Sequence, residues 1–581
     1  MKRVVALVMA CMAVVACAGI PTNGPVRQGD TEVAQQPPLA PLLQGPAPDA
    51  SPRAIVQGFL SASAGGSVSG FDVAREFLTE GAAITWDPMA QVTIFDSRQV
   101  EQTFDASSGV HTYTVPVAAI VDESGVMTEA SADVQSDITF TVTQDEFGRN
   151  RISTLADGIV MSAADFVRFF RPLRLYFAGA DFYTAIPEVR WFANNDQIAT
   201  AVVRELVAGP SPWLADAVTT GFPPGSALDV DAVVINDGVA TVALAPGSAG
   251  SLEQRALGVA QLELTLGQVP AVQSVVVTVG GVPLSSGVPT ELVQPALPPE
   301  MSAVIAQGRL GLFDGDEIAV TPWSTGTVPE GASGLALAYD GVTVAMVVDG
   351  SIAASSALAH ADALEMYDDR AEPPGQVPQI PVQTVIPGQA LVPASFDPQG
   401  WVWSTEQDSQ GVVYAATADP GTIAAGSVHA EPIALEAPWM DGREVQALAV
   451  SRDGSRLAVL SRTAGSVQSL DIVAITRDGQ GVPLSLGQPL SIAPTIPPSI
   501  DLVWSDSTSV VTVAEESGLV TESEIGGWTH TDAVLVGAEH ITIRNGTRTL
   551  VATTADGALV VRSGNSWTGQ ADGIYDVSYA G

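Results

Sequence analysis

Roughly the last 280 residues repeat short runs of β-forming residues separated by tight turns, and this repeat limits the possible fold more than any other feature. Three such runs end at Ser395, Ser451 and Ser505, which are separated by 56 and 54 residues. A period near 50 residues built from short strands is typical of β-propeller blades. Residues 301–581 therefore predict an all-β propeller, and their length allows about five to seven blades.

The clearest copy of the repeat has the turn Ser451-Arg452-Asp453-Gly454 between two apolar runs. Serine, aspartate and glycine are common at this place because their side chains or backbones satisfy turn geometry. We therefore assign no catalytic role to this turn.

The first 17 residues carry a second strong signal. Lys2 and Arg3 precede an apolar run, Val4–Ala16, which is typical of a secretory signal peptide and too short to span a bilayer as a mature helix. The sequence Val14-Val15-Ala16-Cys17 resembles a bacterial lipobox. That resemblance implies cleavage after Ala16 and a lipid on the Cys17 thiol, with residues 1–16 as the signal peptide. The alternative is an ordinary signal peptide in which Cys17 is incidental.

Composition supports export and excludes several chemistries. Cys11 and Cys17 are the only cysteines, so the mature chain has no thiol left for a disulfide or a thiolate metal site. The formal net charge is −40, and the only lysine is Lys2. Such a negative field disfavours nucleic acid binding. The lack of lysine excludes a Walker-type phosphate loop and a Schiff-base lysine.

The remaining chain divides by pattern into three regions. Residues 17–50 are rich in proline and predict a linker behind the lipidated cysteine. Residues 51–165 predict two helices followed by antiparallel strands, an α+β order similar to NTF2-like domains. Its polar residues Asp72, Asp87 and His111 are isolated and form no catalytic set.

Residues 166–290 contain a set of sequence pieces that together are similar to a GerMN domain, a small α/β binding module. The pieces are Glu205 to Ser211, Phe222 to Ser226 and Gln261 to Leu266. The turn Asn236-Asp237-Gly238 predicts a hairpin.

Three arginines stand at the start of this region, in an otherwise acidic chain. Arg168, Arg171 and Arg174 alternate with phenylalanine, proline and leucine. Arginine and aromatic residues are enriched at protein interfaces, so this stretch is a candidate partner contact. The alternative is internal: the arginines pair with carboxylates and join two domains.

The whole order of features resembles the LpqB family of actinobacterial lipoproteins. The most family-like pieces are Cys17 to Pro21, Leu175 to Phe177, the GerMN pieces and Gly400 to Trp403. The resemblance implies an extracytoplasmic, membrane-anchored lipoprotein that binds the external domain of the sensor kinase MtrB. It would thereby modulate the MtrA–MtrB two-component system in cell-envelope homeostasis and division. The resemblance implies no enzyme activity, catalytic residue, cofactor or metal.

Two other functions remain open from the sequence. A propeller could host a hydrolase or lyase, but the five histidines are scattered without metal-ligand spacing, and no nucleophile elbow is present. A cell-wall glycan could stack on Trp401, Trp403 or Trp439, although core packing explains tryptophans more often. Exposed coplanar tryptophans would favour glycan binding, and a deep pocket with two close carboxylates would favour an enzyme.

Overall fold

The computed structural model describes residues 43–580, with gaps at 98–99, 106, 285–289, 298–299, 314–317, 320–325, 358–378, 420, 422, 424–430, 464, 466, 545–548 and 565. The predicted signal peptide, Cys17 and most of the predicted linker lie outside the described residues. So do His360 and His429.

The N-terminal part begins with helix α1 (Pro52–Ser69), because Ser51 caps it and proline fixes its first turn. Two short helices follow, α2 (Asp72–Arg75) and α3 (Glu80–Thr85). Seven strands then form one sheet in the order β6-β5-β3-β1-β7, with β2 and β4 also paired to β3. They are β1 (Gln91–Phe95), β2 (Glu101–Asp105), β3 (Val110–Asp122), β4 (Met127–Glu129), β5 (Gln135–Gln144), β6 (Asn150–Thr154) and β7 (Ile159–Ser162).

This sheet buries one face against α1, which gives the predicted α+β arrangement. Side chains along β3 alternate between deeper and shallower burial, as expected for a strand with one covered face. Phe59 of α1 packs edge-on against Trp86 at 5.1 Å and against Phe140 of the sheet at 5.8 Å.

The middle part is a small α/β unit. Helix α4 (Ala163–Phe169) leads into a two-stranded hairpin of β8 (Phe170–Ala178) and β9 (Ala185–Ala193). The remaining elements are α5 (Ile198–Ala208), β10 (Val234–Asn236), β11 (Val239–Leu244), α6 (Leu252–Leu266), β12 (Ser274–Val279) and β13 (Val282–Pro283). Strands β11 and β12 are parallel and α6 connects them, while Ser251 and Gln254 form a capping box at the start of α6.

The predicted hairpin at Asn236-Asp237-Gly238 is confirmed. Strands β10 and β11 pair antiparallel on either side of the turn, and φ is positive at both Asp237 (48°) and Gly238 (80°). Two successive positive φ values are the mark of the hairpin turn that matches strand twist.

The C-terminal part is a β-propeller with six blades in the described residues, five of four strands and one of five, which is within the predicted range. Five blades follow chain order and contain β17–β20, β21–β24, β25–β28, β30–β33 and β34–β37, with β29 added to the third of these. The bounds are β14 (Ser302–Ala306), β15 (Arg309–Phe313), β16 (Ile318–Ala319), β17 (Ser333–Leu337), β18 (Thr343–Val348), β19 (Ser351–Ser356), β20 (Gln383–Ile386), β21 (Ser395–Phe396), β22 (Trp401–Ser404), β23 (Val412–Thr417), β24 (Ile433–Glu436), β25 (Glu444–Val450), β26 (Arg456–Arg462), β27 (Gln468–Arg477), β28 (Pro483–Leu486), β29 (Leu490–Ile492), β30 (Ser499–Trp504), β31 (Ser509–Ala514), β32 (Leu519–Glu524), β33 (Thr529–Val534), β34 (Ala538–Arg544), β35 (Thr549–Thr554), β36 (Ala558–Ser563), β37 (Ser566–Asp572) and β38 (Ile574–Tyr579).

The sixth blade is assembled from both ends of the propeller sequence. Strand β38 pairs with β14, and β15 and β16 complete the sheet. The inner strands β17, β21, β25, β30, β34 and β38 contact one another in sequence and close a ring. Because β38 pairs with β14, that edge of β14 is not left unpaired where the two ends of the propeller sequence meet.

Candidate partner-binding surface

The β8–β9 hairpin is the element on which the three parts meet. The backbone N–H of Trp191, on β9, donates to the carbonyl of Gly125 in the N-terminal sheet at 2.7 Å. Its indole Nε1 donates to the carbonyl of Gly526 in the propeller at 2.8 Å. Gly125 has φ of 82°, and a Cβ there would lie 2.7 Å from the Trp191 carbonyl, so this approach requires glycine.

A buried arginine of the propeller also contacts this hairpin. Arg456 is 1% exposed, donates to Asp453 Oδ2 at 2.5 Å, and reaches the carbonyl of Pro187 on β9 at 3.2 Å. Burial opposes ionisation of Asp453, but Arg456 and the hydroxyls of Ser455 and Ser451 outweigh it and lower the pKa of the carboxyl. The blade turn that the sequence marked thus also orients an interdomain contact.

A second polar contact joins the N-terminal sheet to the propeller directly. Glu129 on β4 accepts hydrogen bonds from the backbone N–H of Thr529 at 2.8 Å and from its hydroxyl at 2.5 Å. Sequence reasoning had no signal for this pair, because its members lie 400 residues apart.

The three arginines of the predicted contact lie in two different environments. Arg174 faces the propeller, where its guanidinium is 3.5 Å from Asp506 and donates to Thr508 at 3.4 Å. The internal alternative therefore describes Arg174.

Neither Arg168 nor Arg171 forms an ion pair with an acidic side chain in the described part of the chain. Arg168 is exposed, with its guanidinium carbon 5.1 Å from the centre of the Phe169 ring, and Arg171 is half-buried. Val167 beside them is 59% exposed. We call Val167, Arg168 and Arg171 the arginine patch; it combines apolar surface with positive charge in an acidic protein.

A cleft of about 560 Å³ lies between the N-terminal sheet and the middle part. Phe71, Val121 and Trp191 contribute to its apolar wall, and Asp122 and Glu205 to its polar rim. Burial raises the pKa of Glu205, while the nearby Arg190 opposes that rise. The volume falls in the range of small-molecule sites, and the acidic rim favours cations over anions.

The tryptophans of the glycan alternative pack mainly into the propeller. Trp403 is fully buried, and its indole N–H donates to Asp397 Oδ2 at 2.9 Å. Trp401 and Trp439 are partly buried against the same apolar cluster. None of these three tryptophans is an exposed platform on which a sugar could stack.

The described residues contain neither a metal-binding cluster nor a membrane-spanning helix. Among them, no group of three His, Cys, Asp or Glu side chains is placed to hold a metal ion. No helix in the described ranges is both long and apolar enough to cross a bilayer. His540 instead pairs with Asp501, with 2.6 Å between Nδ1 and Oδ2.

Family models match three stretches of the chain. The family model for the N-terminal domain of lipoprotein LpqB matches residues 45–167, and that for the LpqB β-propeller domain matches residues 373–576. Between them, a model described as "Sporulation and spore germination" matches residues 174–285. The chain belongs to the LpqB lipoprotein family.

Curated LpqB proteins match over most of this chain. Lipoprotein LpqB of Thermobifida fusca is 28% identical over 87% of this chain and 86% of its own length. Lipoprotein LpqB of Streptomyces coelicolor is 28% identical over 99% of this chain and 97% of its own length. Each match therefore extends over widely separated parts of this chain.

Solved structures resemble only parts of the chain. Tandem GerMN domains of GerM from Bacillus subtilis cover 25% of this chain and 58% of theirs, with 12% identity and a TM-score of 0.18. TolB from Acinetobacter baumannii covers 48% of this chain and 66% of its own, with 14% identity and a TM-score of 0.30. Both TM-scores are below 0.5, so neither likeness establishes the fold of this chain.

Proposed function

We propose that this LpqB-family protein is a non-catalytic lipoprotein that binds the external domain of the sensor kinase MtrB and modulates its signalling in cell-envelope homeostasis and division. The lipid on Cys17 would hold it at the extracytoplasmic face of the cell membrane. The proposed domains are 17–50 for the lipidated linker, 51–165 for the NTF2-like region, 166–290 for the GerMN-like region and 301–581 for the propeller.

The observation that carries the contact is the arginine patch. Arginine is enriched at interface hot spots, and these two arginines have no acidic partner in the described residues. Val167 beside them adds exposed apolar surface. Helix α4, which carries Val167 and Arg168, packs through the buried Phe166 and Phe169. The patch is therefore presented by a packed element, which lowers the entropy lost on binding.

Binding is tested with the mature protein and the isolated external domain of the kinase. We expect micromolar or tighter binding by the wild type, and at least about tenfold weaker binding by the Arg168→Ala/Arg171→Ala double variant. Arg309→Ala removes an exposed arginine from the propeller and should bind as the wild type does. Absence of wild-type binding at micromolar concentration would contradict the proposal.

The anchor has a separate test by membrane fractionation. With the signal peptide retained, the wild type should sediment with membranes, and Cys17→Ala should move to the soluble fraction. A Cys17→Ala variant that stays membrane-bound would exclude the lipid on Cys17 as the anchor.

A further inference from the structure

One mouth of the propeller channel has an unusual concentration of charge. The blades repeat by rotation around the channel, so residues at the same offset from their inner strands lie at the same mouth. Tyr339, Arg452 and Asp506 each lie two residues beyond the end of β17, β25 and β30 respectively. Asp397 and Asp453 lie at the same end, one and three residues beyond β21 and β25.

Three carboxylates at this mouth are paired with other arginines. Asp397 accepts from Arg477 at 2.6 Å, and Asp453 accepts from Arg456 at 2.5 Å. Asp506 lies 3.5 Å from Arg174. Arg452 is thus the additional arginine, and the described residues provide no ion-pair partner for it.

Arg452 is also deeply buried, which makes its lack of partners costly. Its residue exposure is 6%, and neither Nε nor Nη2 has a hydrogen-bond partner in the protein. Burial lowers the pKa of Arg452, while the electrostatic influence of Tyr339 and Asp506 opposes that shift. An unpaired buried charge destabilises a fold strongly unless something outside the chain compensates it.

Tyr339 supplies a second unused donor near this guanidinium. Its hydroxyl is buried and also lacks a hydrogen-bond partner. Burial raises the pKa of Tyr339, and the positive charge of Arg452 opposes the rise, which places the two groups within electrostatic reach. At neutral pH the hydroxyl therefore remains protonated and can donate.

The free atoms have a definite chemical preference. Nε and Nη2 form one edge of the guanidinium, and this edge can donate two parallel hydrogen bonds to a carboxylate or a phosphate. A neutral tyrosine hydroxyl adds a third donor. We propose that this mouth of the propeller is an oxyanion-binding site, in which Arg452 holds a carboxylate or phosphate group side-on and Tyr339 donates to it.

The site is tested on the full mature protein by thermal unfolding and calorimetric titration. Inorganic phosphate and acetate are separate probes, each compared with chloride at equal ionic strength. The third comparison is between a short peptide with a free carboxyl end and the same peptide with an amidated end. We expect saturable binding and a rise in the unfolding temperature with at least one oxyanion, and the probe that binds identifies the class.

Variants separate a binding role from a structural one. Arg452→Met should abolish the oxyanion response, yet unfold in chloride at or above the wild-type temperature, because it removes an unpaired buried charge. Arg452→Lys keeps a charge without the two-donor edge, and Tyr339→Phe loses one donor; each should bind about tenfold more weakly. Arg309→Met, at an exposed arginine of the same propeller, should respond as the wild type does.

Three results would overturn the proposal. They are a wild type that responds to none of the oxyanions, an oxyanion response that survives in Arg452→Met, and an Arg452→Met variant that unfolds well below the wild type in chloride. The last would show that Arg452 has a structural partner in the free protein.

Discussion

At the scale of single residues, two arginines four positions apart have opposite roles. Arg456 is buried in an ion pair and a contact to the neighbouring part of the chain, whereas buried Arg452 has unused donors. The sequence around Ser451-Arg452-Asp453-Gly454 predicts the turn correctly, because serine, aspartate and glycine have strong local preferences. It does not predict which arginine pairs with Asp453, since both lie close to that aspartate in the sequence and the Pro187 carbonyl that also holds Arg456 comes from another domain.

Breaking the Arg456 pair should destabilise the protein markedly. Arg456→Met leaves the buried carboxylate of Asp453 uncompensated, and we expect a loss of about 3–5 kcal/mol in the free energy of unfolding, measured by urea denaturation. Adding Asp453→Asn removes that charge, so the double variant should lose less than the two single variants combined. Additive losses would show that the two side chains do not interact.

His540 should make stability depend on pH in the alkaline range. Burial disfavours the imidazolium, but the attraction of Asp501 and the hydrogen bond to it outweigh burial and raise the pKa of His540 from 6.5 to about 9. The added stability is therefore complete below pH 6.5 and is lost as the pH rises through about 9.

Urea denaturation at pH 7 and pH 10 measures this effect. The wild type should lose about 2 kcal/mol more than His540→Gln over this interval, because the glutamine cannot titrate. Asp501→Asn is the matched variant on the other side of the pair and should also reduce the pH dependence. Equal losses in wild type and His540→Gln would show that another group is responsible.

At the scale of elements, the hairpin of β8 and β9 shows what sequence patterns reveal and what they miss. The local apolar pattern predicts a strand at Leu175 to Phe177 and a helix at about Leu252 to Leu266, and the structure has both, because apolar periodicity is local. The contacts of Trp191 with Gly125 and Gly526 are not predictable in this way. They depend on how separate cores meet, and no local pattern records that.

Adding a methyl group at Gly221, just before the second GerMN piece, should destabilise the protein. Gly221 packs against the backbone of α6, where a Cβ would overlap with Gly258 and the carbonyl of Gln254. We expect Gly221→Ala to cost about 1–3 kcal/mol by thermal or urea unfolding. Gly247 lies in the same part with open space around its Cβ position, so Gly247→Ala should change stability little.

At the scale of the whole molecule, the propeller period near 55 residues predicted the architecture but not its closure. Turn residues and strand-forming residues recur along the chain, so the repeat can be read locally. That β38 joins β14 depends on pairing Tyr579 with Ser302, which the repeat does not specify. The exposure of the arginine patch is likewise not predictable from the sequence, because it depends on how the neighbouring domains pack.

Removing the closing strand should unfold the propeller as a unit. A chain ending at residue 573 lacks β38, which exposes the edge of β14 and removes the contacts of β38 with the inner strands β17 and β34. We expect loss of the cooperative propeller transition in calorimetry and faster proteolysis than in the wild type. As a control, Tyr575→Ser changes an exposed side chain (60%) on the same strand and should leave the transition largely unchanged.

The pairing of β14 with β38 also determines when the ring can close during folding. Strand β14 is made early in the propeller sequence, yet its partner β38 follows every other described strand. Until β38 arrives, β14 has one unpaired edge, and loop closure over such a distance is slow compared with forming a local hairpin. A growing chain therefore carries an incomplete ring until β38 is made, and chaperones or proteases have that interval in which to act.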